Sequence, residues 1–507
     1  MTISSDAVKA SLRGAKLLEH VRRDVIGLDT EYRLATGQAS RRVYLDSTAT
    51  TLKLGAVDRV SQAFLPHYSN THSLLHFGAK LATQSYHWAH DKVLEFVRAD
   101  PKEYAAIFLG SGATAGFNRV ARSLSRRFPE RDVVITTMME HHANDLPHRA
   151  HFNKVVHVGS KLDGWRTGCL DLAQLEKALK EYQGRVAYVT ATGVSNVTGI
   201  VNPVEEIAEL AHRYDTLCMI DAAQMAAHVP MQVSRPDAPE KEIDLLCFSG
   251  HKIYAPGSPG VLVTRRSLFD GNEPCEMGGG IVDHVFVDDY IVAQSLPERE
   301  EAGTPDIVGA IELAAALEVL DRIGMDLLEK EEDKLIRTTI DALEAMPEVT
   351  VYGVICPNAV HRVGCVTFNI VDIEHGLTAA ILNDYHNVAV RNECFCAHPY
   401  VKDMITLDLE RRLDDLDEDE IEAIAEQSKG MVRASFGLYS TEQDVERLVT
   451  GVRDIIARRD EYAPLYERLP NGDYRHKKFS FDPSTQFSVR GVLDACYVDK
   501  TTKGAGS

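Results

Sequence analysis

The chain has no uninterrupted apolar run of the roughly 18–20 residues that a membrane-spanning helix needs, so a protein outside the membrane is expected. It has no basic excess either. With 55 Lys and Arg against 75 Asp and Glu, the formal net charge is −20. A nucleic-acid partner is therefore not expected, because neutralising phosphates requires a clustered basic face. The N-terminus lacks the basic-then-apolar order of a signal peptide; Val8, Leu12, Ala15, Leu18, Val21 and Val25 instead recur at helical spacing. A cytoplasmic location is the expectation. No internal repeat is evident. Nine cysteines are scattered along the chain without a disulfide framework or paired CxxC zinc ligands, and the one close pair is Cys394-Phe395-Cys396.

What is present is enough apolar material, 44% of 507 residues, to bury a large core and build more than one domain. Short apolar runs near 105–109, 133–137, 155–158, 186–190, 217–220, 245–248 and 260–264 read as strands, with helical patterns such as 203–214 between several of them. Strands separated by helices pair in parallel through right-handed crossovers, which predicts an α/β sheet covered on both faces. From about Ile307 the character changes to long helices followed by strands near 349–352 and 364–371. The expected organisation is an N-terminal helical arm (1–40), a large domain (41–306), a smaller α+β domain (307–459) and a C-terminal tail (460–507). The stretch 409–424 reads as a solvated helix face. The tail has no clear periodicity and is expected to wrap over the body, ending in disorder at 503–507.

Ligands of open parallel sheets gather beyond the carboxyl ends of the strands, so the polar residues there carry the functional reading. Leu109-Gly110-Ser111-Gly112-Ala113-Thr114 leaves a strand and opens a helix, where small residues bring backbone N–H groups close to an anion; a purely structural turn reads the same way. Glu140-His141-His142-Ala143-Asn144 follows another strand. Adjacent histidines diverge in any regular element and chelate metal poorly, whereas one ring could stack on a planar cofactor or simply lie at the surface. Asp221, directly after an apolar strand, could keep a pyridine nitrogen protonated or cap a helix. Lys252, in Phe248-Ser249-Gly250-His251-Lys252, follows a buried strand, and desolvation there favours the neutral amine that attacks an aldehyde. Cys396, in Arg391-Asn392-Glu393-Cys394-Phe395-Cys396, could be a nucleophile, a metal ligand or a small buried apolar residue.

Taken in order, these segments resemble fold-type I pyridoxal-phosphate enzymes, specifically the class V aminotransferase family and its cysteine desulfurase and selenocysteine lyase group. The resemblance includes Tyr44-Leu45-Asp46-Ser47-Thr48-Ala49-Thr50, Ser69-Asn70-Thr71-His72, Val194-Ser195-Asn196-Val197-Thr198-Gly199, Ser249-Gly250-His251-Lys252, Glu301-Ala302-Gly303-Thr304-Pro305 and Arg433-Ala434-Ser435-Phe436. It implies a mixed, mostly parallel seven-stranded sheet in a large domain, plus a smaller α+β C-terminal domain.

It also implies roles for particular residues. Lys252 would hold pyridoxal 5'-phosphate as a Schiff base and move the α-proton. Asp221 would pair with the pyridinium nitrogen, Gln224 would approach the phenolic oxygen and His141 would stack on the ring. Ala113, Thr114, Ser249 and His251 would hold the phosphate, joined by Thr304 from the second subunit of a homodimer. Asn196, Arg391 and Arg433 would meet the substrate, with Arg433 clamping its carboxylate. Cys396 would take sulfur from cysteine, or selenium from selenocysteine, for delivery to a sulfur-acceptor protein.

Two departures stand out. Glu393, Cys394 and Phe395 replace the glycine and two histidines of the familiar desulfurase pattern, and Ser73 replaces an arginine. The Cys-Phe-Cys triplet is more similar to molybdenum cofactor sulfurases. An aminotransferase, epimerase or β-lyase acting without the thiol, and a catalytically silent sulfur carrier, are the competing readings.

Overall fold

The computed structural model describes residues 12–71, 73–271, 273–413, 420–421 and 430–497. His72, most of the 409–424 stretch beyond the helix His398–Arg412, and the 503–507 terminus lie outside them. The centre is a seven-stranded sheet of β1 (Tyr104–Leu109), β2 (Val133–Thr137), β3 (Lys154–Val158), β4 (Val186–Thr192), β5 (Leu217–Asp221), β6 (Leu245–Ser249) and β7 (Gly260–Arg265). Their order is β1-β7-β6-β5-β4-β2-β3. The run from β6 to β3 is parallel, whereas β7 is antiparallel to both of its neighbours. All seven strands coincide with the apolar runs read from the sequence.

The periodicity of the strands explains why the sheet is covered on both faces. Successive side chains of a strand point to opposite faces. In β1, Tyr104, Ala106 and Phe108 enter one core, while Ala105, Ile107 and Leu109 enter another. Likewise Leu246 and Phe248 of β6 face the first core, and Leu245 and Cys247 face the second. Each face is therefore covered largely by apolar contact, and the polar groups that meet the cavity gather where the strands end. Helices Phe77–Phe96 and Ile307–Ile323 pack on the first face; Gly112–Arg127 packs on the second.

A second sheet, antiparallel, is built from β8 (Val349–Val351), β9 (Cys365–Ile370), β10 (Arg391–Glu393) and β11 (Met431–Ser435), in the order β8-β9-β11-β10. It has its own core, in which Phe368, Val432, Leu382 and Leu448 are fully buried and which Val43 and Leu45 also join.

Two expectations change. The N-terminal helix is short, Gly14–Arg22, with Leu18 and Val21 turned inward and Leu12 exposed. The tail is not a featureless wrap: it forms a hairpin of Tyr466–Arg468 with Tyr474–His476 and then a helix, Val489–Cys496. Three-residue strands carry too little alternation to register as a period. No helix among the described residues is long and apolar enough to cross a membrane.

Candidate active site

The strand ends converge on a cavity of about 500 Å³. Its walls contain Ala113, Thr114, His141, Asn196, Asp221, Gln224, Ser249, His251, Lys252, Arg391, Cys396 and Arg433, which are all the site residues read from the sequence except Thr304. Thr304 lies outside the cavity of its own chain and accepts a hydrogen bond from the Asn70 side chain (3.0 Å).

At one end of the cavity β1 turns into the helix Gly112–Arg127. Ser111 provides no side-chain cap, so the first turn of the helix is left to face the cavity. Gly112 has φ +60°, and a Cβ there would come within 2.7 Å of the Ser249 hydroxyl oxygen. That oxygen accepts from the Ala113 amide (2.8 Å), which ties the turn to the end of β6. Close approach plus oriented N–H groups makes a cradle for an anion. Past β6, a short turn, Gly250–Lys252, carries His251 and Lys252 into the cavity. Burial lowers the Lys252 amine below its ordinary range; the Asp221 charge opposes this, and the Arg433 charge adds to it. Burial, followed by the Lys252 charge, holds His251 at about 4.

At the end of β5 the buried Asp221 accepts from the Ala223 amide (2.8 Å). Burial raises its carboxyl, and the Ala223 N–H and Lys252 pull the other way. A buried carboxylate of this kind gains most from a cationic N–H partner. His141 is held at about 3 by burial first and by Lys252 second. Its Nδ1 accepts from the Ala143 amide (3.0 Å), so the ring is neutral and tethered at the cavity wall, where it could stack on a planar group. Gln224 Nε2 donates to the Thr48 carbonyl (2.9 Å).

The opposite wall comes from the second sheet. The buried Arg433 donates from Nη1 to the Asn196 carbonyl (2.7 Å), and its guanidinium lies 4.6 Å from the centre of the Phe395 ring. Its Nε is buried without a hydrogen-bond partner, as is Asp46 Oδ1. Asp46 stands 3.7 Å from both Arg433 and Arg391, so the two cations share one carboxylate. An arginine fork short of acceptors is a receptor for a carboxylate.

Sequence reading assigned no role to Asp46 or Glu140. Glu140 lies behind His141, where it accepts from Thr137 Oγ1 (2.5 Å), Asn144 Nδ2 (2.6 Å) and the Thr192 amide (2.8 Å). Both lay in the resembling segments, but their partners are distant in sequence. Burial raises Glu140 from 4.5 to about 8, despite the hydrogen bonds that favour its anion. The folded protein thus keeps a proton that the unfolded chain gives up. Its contribution to stability is full below the ordinary carboxyl range and is lost as pH rises through about 8. Glu140→Gln, neutral at every pH, is expected to flatten the fall in thermal midpoint between pH ~5 and ~8. An unchanged slope would show that Glu140 is already ionised in the fold.

No group of three or more His, Cys, Asp or Glu among the described residues is arranged to hold a metal ion. The family model for class-V aminotransferases matches residues 43–448. The chain belongs to the class-V aminotransferase family and is an enzyme of that family. Within it, the chain is 34% identical to a probable cysteine desulfurase of Halalkalibacterium halodurans over 412 residues, covering 81% of this chain and 92% of the relative. A cysteine desulfurase of Dickeya dadantii is 31% identical over 414 residues, covering 81% and 91%. Among solved structures, the apo cysteine desulfurase of Thermococcus onnurineus NA1 is similar with a TM-score of 0.73 and 30% identity, covering 89% of this chain and 100% of that one. The Escherichia coli cysteine desulfurase CsdA, in an S-sulfonic acid form, has a TM-score of 0.68 and 27% identity, covering 87% and 98%. The mixed, mostly parallel α/β fold expected from the sequence is the fold of these enzymes.

Proposed function

We propose that the protein is a pyridoxal-phosphate-dependent cysteine desulfurase, which converts cysteine to alanine and leaves the sulfur on Cys396. The observation that carries this reading is a thiol, Cys396, in the same cavity wall as Arg433 and in electrostatic reach of Lys252. The residues present fit the cofactor: a glycine-rich helix start with the Ser249 hydroxyl beside it for its phosphate, a buried carboxylate for its ring nitrogen, a neutral imidazole for its face and a desolvated amine for its aldehyde. When bound, pyridoxal phosphate supplies an electron sink for a carbanion beside the substrate nitrogen.

The protein's own contribution is placement and proton movement. Arg433, with its unpaired Nε, takes the substrate carboxylate, and Asp46 keeps the neighbouring charges balanced before substrate arrives. Asn196 fixes the Phe395 carbonyl (2.8 Å) and so sets the wall that carries the thiol. Lys252 Nζ removes the proton on the substrate α-carbon. The Cys396 thiolate then attacks the substrate sulfur, and the new S–S bond forms as the carbon–sulfur bond breaks. The electron pair of that bond stays on the substrate β-carbon and is protonated there, the α-carbon regains its proton from Lys252, and alanine leaves. Selenocysteine offers the same chemistry with selenium. Product analysis tests the reading. Alanine and, with a reductant, sulfide are expected from cysteine. Ping-pong amino transfer to a 2-oxo acid with no sulfide would replace it with a transaminase.

The reading extends to a cytoplasmic homodimer of two-domain subunits (41–306 and 307–459), serving a sulfur-acceptor protein. The dimer is supported by exposed large apolar side chains: Leu75 and Phe77 are 92% exposed, and Val287, at the tip of the hairpin Val282–Val285 and Tyr290–Val292, is 100% exposed. Closed two-fold pairing would cover such faces and bring Thr304 to the partner's phosphate site. Sedimentation is expected to give a dimer; a fully active monomer would end this part of the proposal.

A further inference from the structure

Beside the cavity, on the turn that carries Cys396, a second thiol belongs to a different set of partners. Cys394 Sγ lies 2.9 Å from His398 Nε2, and His398 Nδ1 lies 3.0 Å from His142 Nε2. The two imidazole rings are parallel within 1°, with centres 4.9 Å apart. One tautomer of His398 satisfies both contacts: Nδ1–H donates to His142, and Nε2 accepts the Cys394 proton. Cys396, not Cys394, lines the cavity. Cys394 is half-buried outside it, next to the helix that begins at His398, while Cys396 is itself exposed on the cavity side of the turn.

The turn between the thiols is held from several sides. The His142 amide donates to the Cys396 carbonyl (2.7 Å), and the Ala397 amide donates to the Cys394 carbonyl (2.9 Å). Asn196 holds the Phe395 carbonyl, and the Phe395 ring packs on Arg433. The backbone N–H of Cys396 also points at the Cys394 sulfur, so that sulfur stands beside its neighbour's backbone. His142 therefore serves twice, through its amide on the Cys396 turn and through its ring on the base of the second thiol.

We propose that Cys394, with His398 as its general base and His142 as the positioning residue behind it, receives the sulfane sulfur from Cys396 and holds it away from the cofactor cavity, beside the His398–His142 pair. The inference rests on the desulfurase reading. His398 Nε2 takes the Cys394 proton. The resulting thiolate attacks the outer sulfur of the Cys396 persulfide, forming a new S–S bond. The bond between that sulfur and Cys396 Sγ breaks, and its electron pair leaves as the Cys396 thiolate. The proton on His398 returns to solvent or to Cys396, and nothing is oxidised or reduced overall. Burial raises the Cys394 thiol above its ordinary range, which is why a thiol here needs an adjacent base. Burial, then the neighbouring His398, lowers His142, so it remains the neutral acceptor that this tautomer requires.

The test follows the position of the sulfur. Cofactor-loaded protein is mixed with L-cysteine without reductant, quenched with an alkylating agent at intervals, and the 394–396 peptide is sequenced by tandem mass spectrometry. Sulfane sulfur is expected on Cys396 first and on Cys394 later. In His398→Gln its arrival on Cys394 should slow by about 100-fold or more, the lower range of what a general base contributes. In Cys394→Ser the sulfur should stay on Cys396, and in Cys396→Ser neither position should carry it. Alanine formation with sulfur confined to Cys396 in the wild type would overturn the relay and leave the desulfurase reading intact. Sulfur on Cys394 in Cys396→Ser would overturn the order of transfer. A Cys394–Cys396 disulfide with released sulfide would show attack on the inner sulfur and overturn the relay as well. Absence of alanine from the wild type would remove the desulfurase reading, and the relay with it.

Discussion

Turnover of a Lys252→Ala variant is expected to fall by at least about 10⁴-fold, the upper range for loss of a positioned proton-transfer group, with loss of the covalent attachment added to it. The expectation comes from the end of β6, where a strand buried on both faces delivers the amine into the cavity with Asp221 on the far side. Because burial lowers the Lys252 amine, more of it is neutral at a given pH than an exposed lysine would be. Activity should therefore decline as pH falls through that lowered range. Borohydride treatment of the wild type should fix the cofactor to a peptide containing residue 252, and the variant should take up none. Label on a peptide lacking residue 252 would place the attachment elsewhere.

Replacing Cys396 by Ser should reduce desulfuration on the order of 10³-fold or more, since removing a nucleophile disables a step that no other group completes. The bound cofactor should remain, because the residues proposed to hold its phosphate and ring do not include Cys396. Cys394→Ser is expected to retain first-turnover alanine formation, because transfer onward comes afterwards. Alanine, sulfide and protein-bound persulfide measured side by side distinguish the two variants. Equal activity in both would mean that neither thiol is needed, and the enzyme would belong with the class-V lyases or transaminases.

The strands were legible because each is a short apolar run, most of them ending at Gly, Ser or Asp, and a strand buried on both faces needs little else. The antiparallel direction of β7 was not, since a run of Gly260 to Arg265 reads the same in either direction and only its pairing with β1 and β6 reveals it. Lys252, Asp221 and His141 were readable because each lies at or within four residues of a strand's carboxyl end. The Cys394–His398–His142 chain was hidden for the opposite reason. His142 and His398 are 256 positions apart, and no local pattern links them. Asp46 was in view from the start, but what it balances comes from β10 and β11, far along the chain.

The turn carrying the two thiols has one further consequence. Glu393, Phe395 and Cys396 all have left-handed backbones, with φ of +95°, +54° and +56°. Glu393 stands where the familiar desulfurase pattern has glycine, and φ near +95° is glycine territory. A side chain there costs of order 1–3 kcal/mol of local strain. Exchanging it for glycine would release that strain and also widen the conformational freedom of the unfolded chain, so the net gain in stability would be smaller than the strain removed. The larger change would be in stiffness: with glutamate the backbone has few alternative conformations, and with glycine it has many. In this enzyme the residue before the thiols acts as a stiff joint, trading folding energy for a fixed angle at which their turn leaves β10.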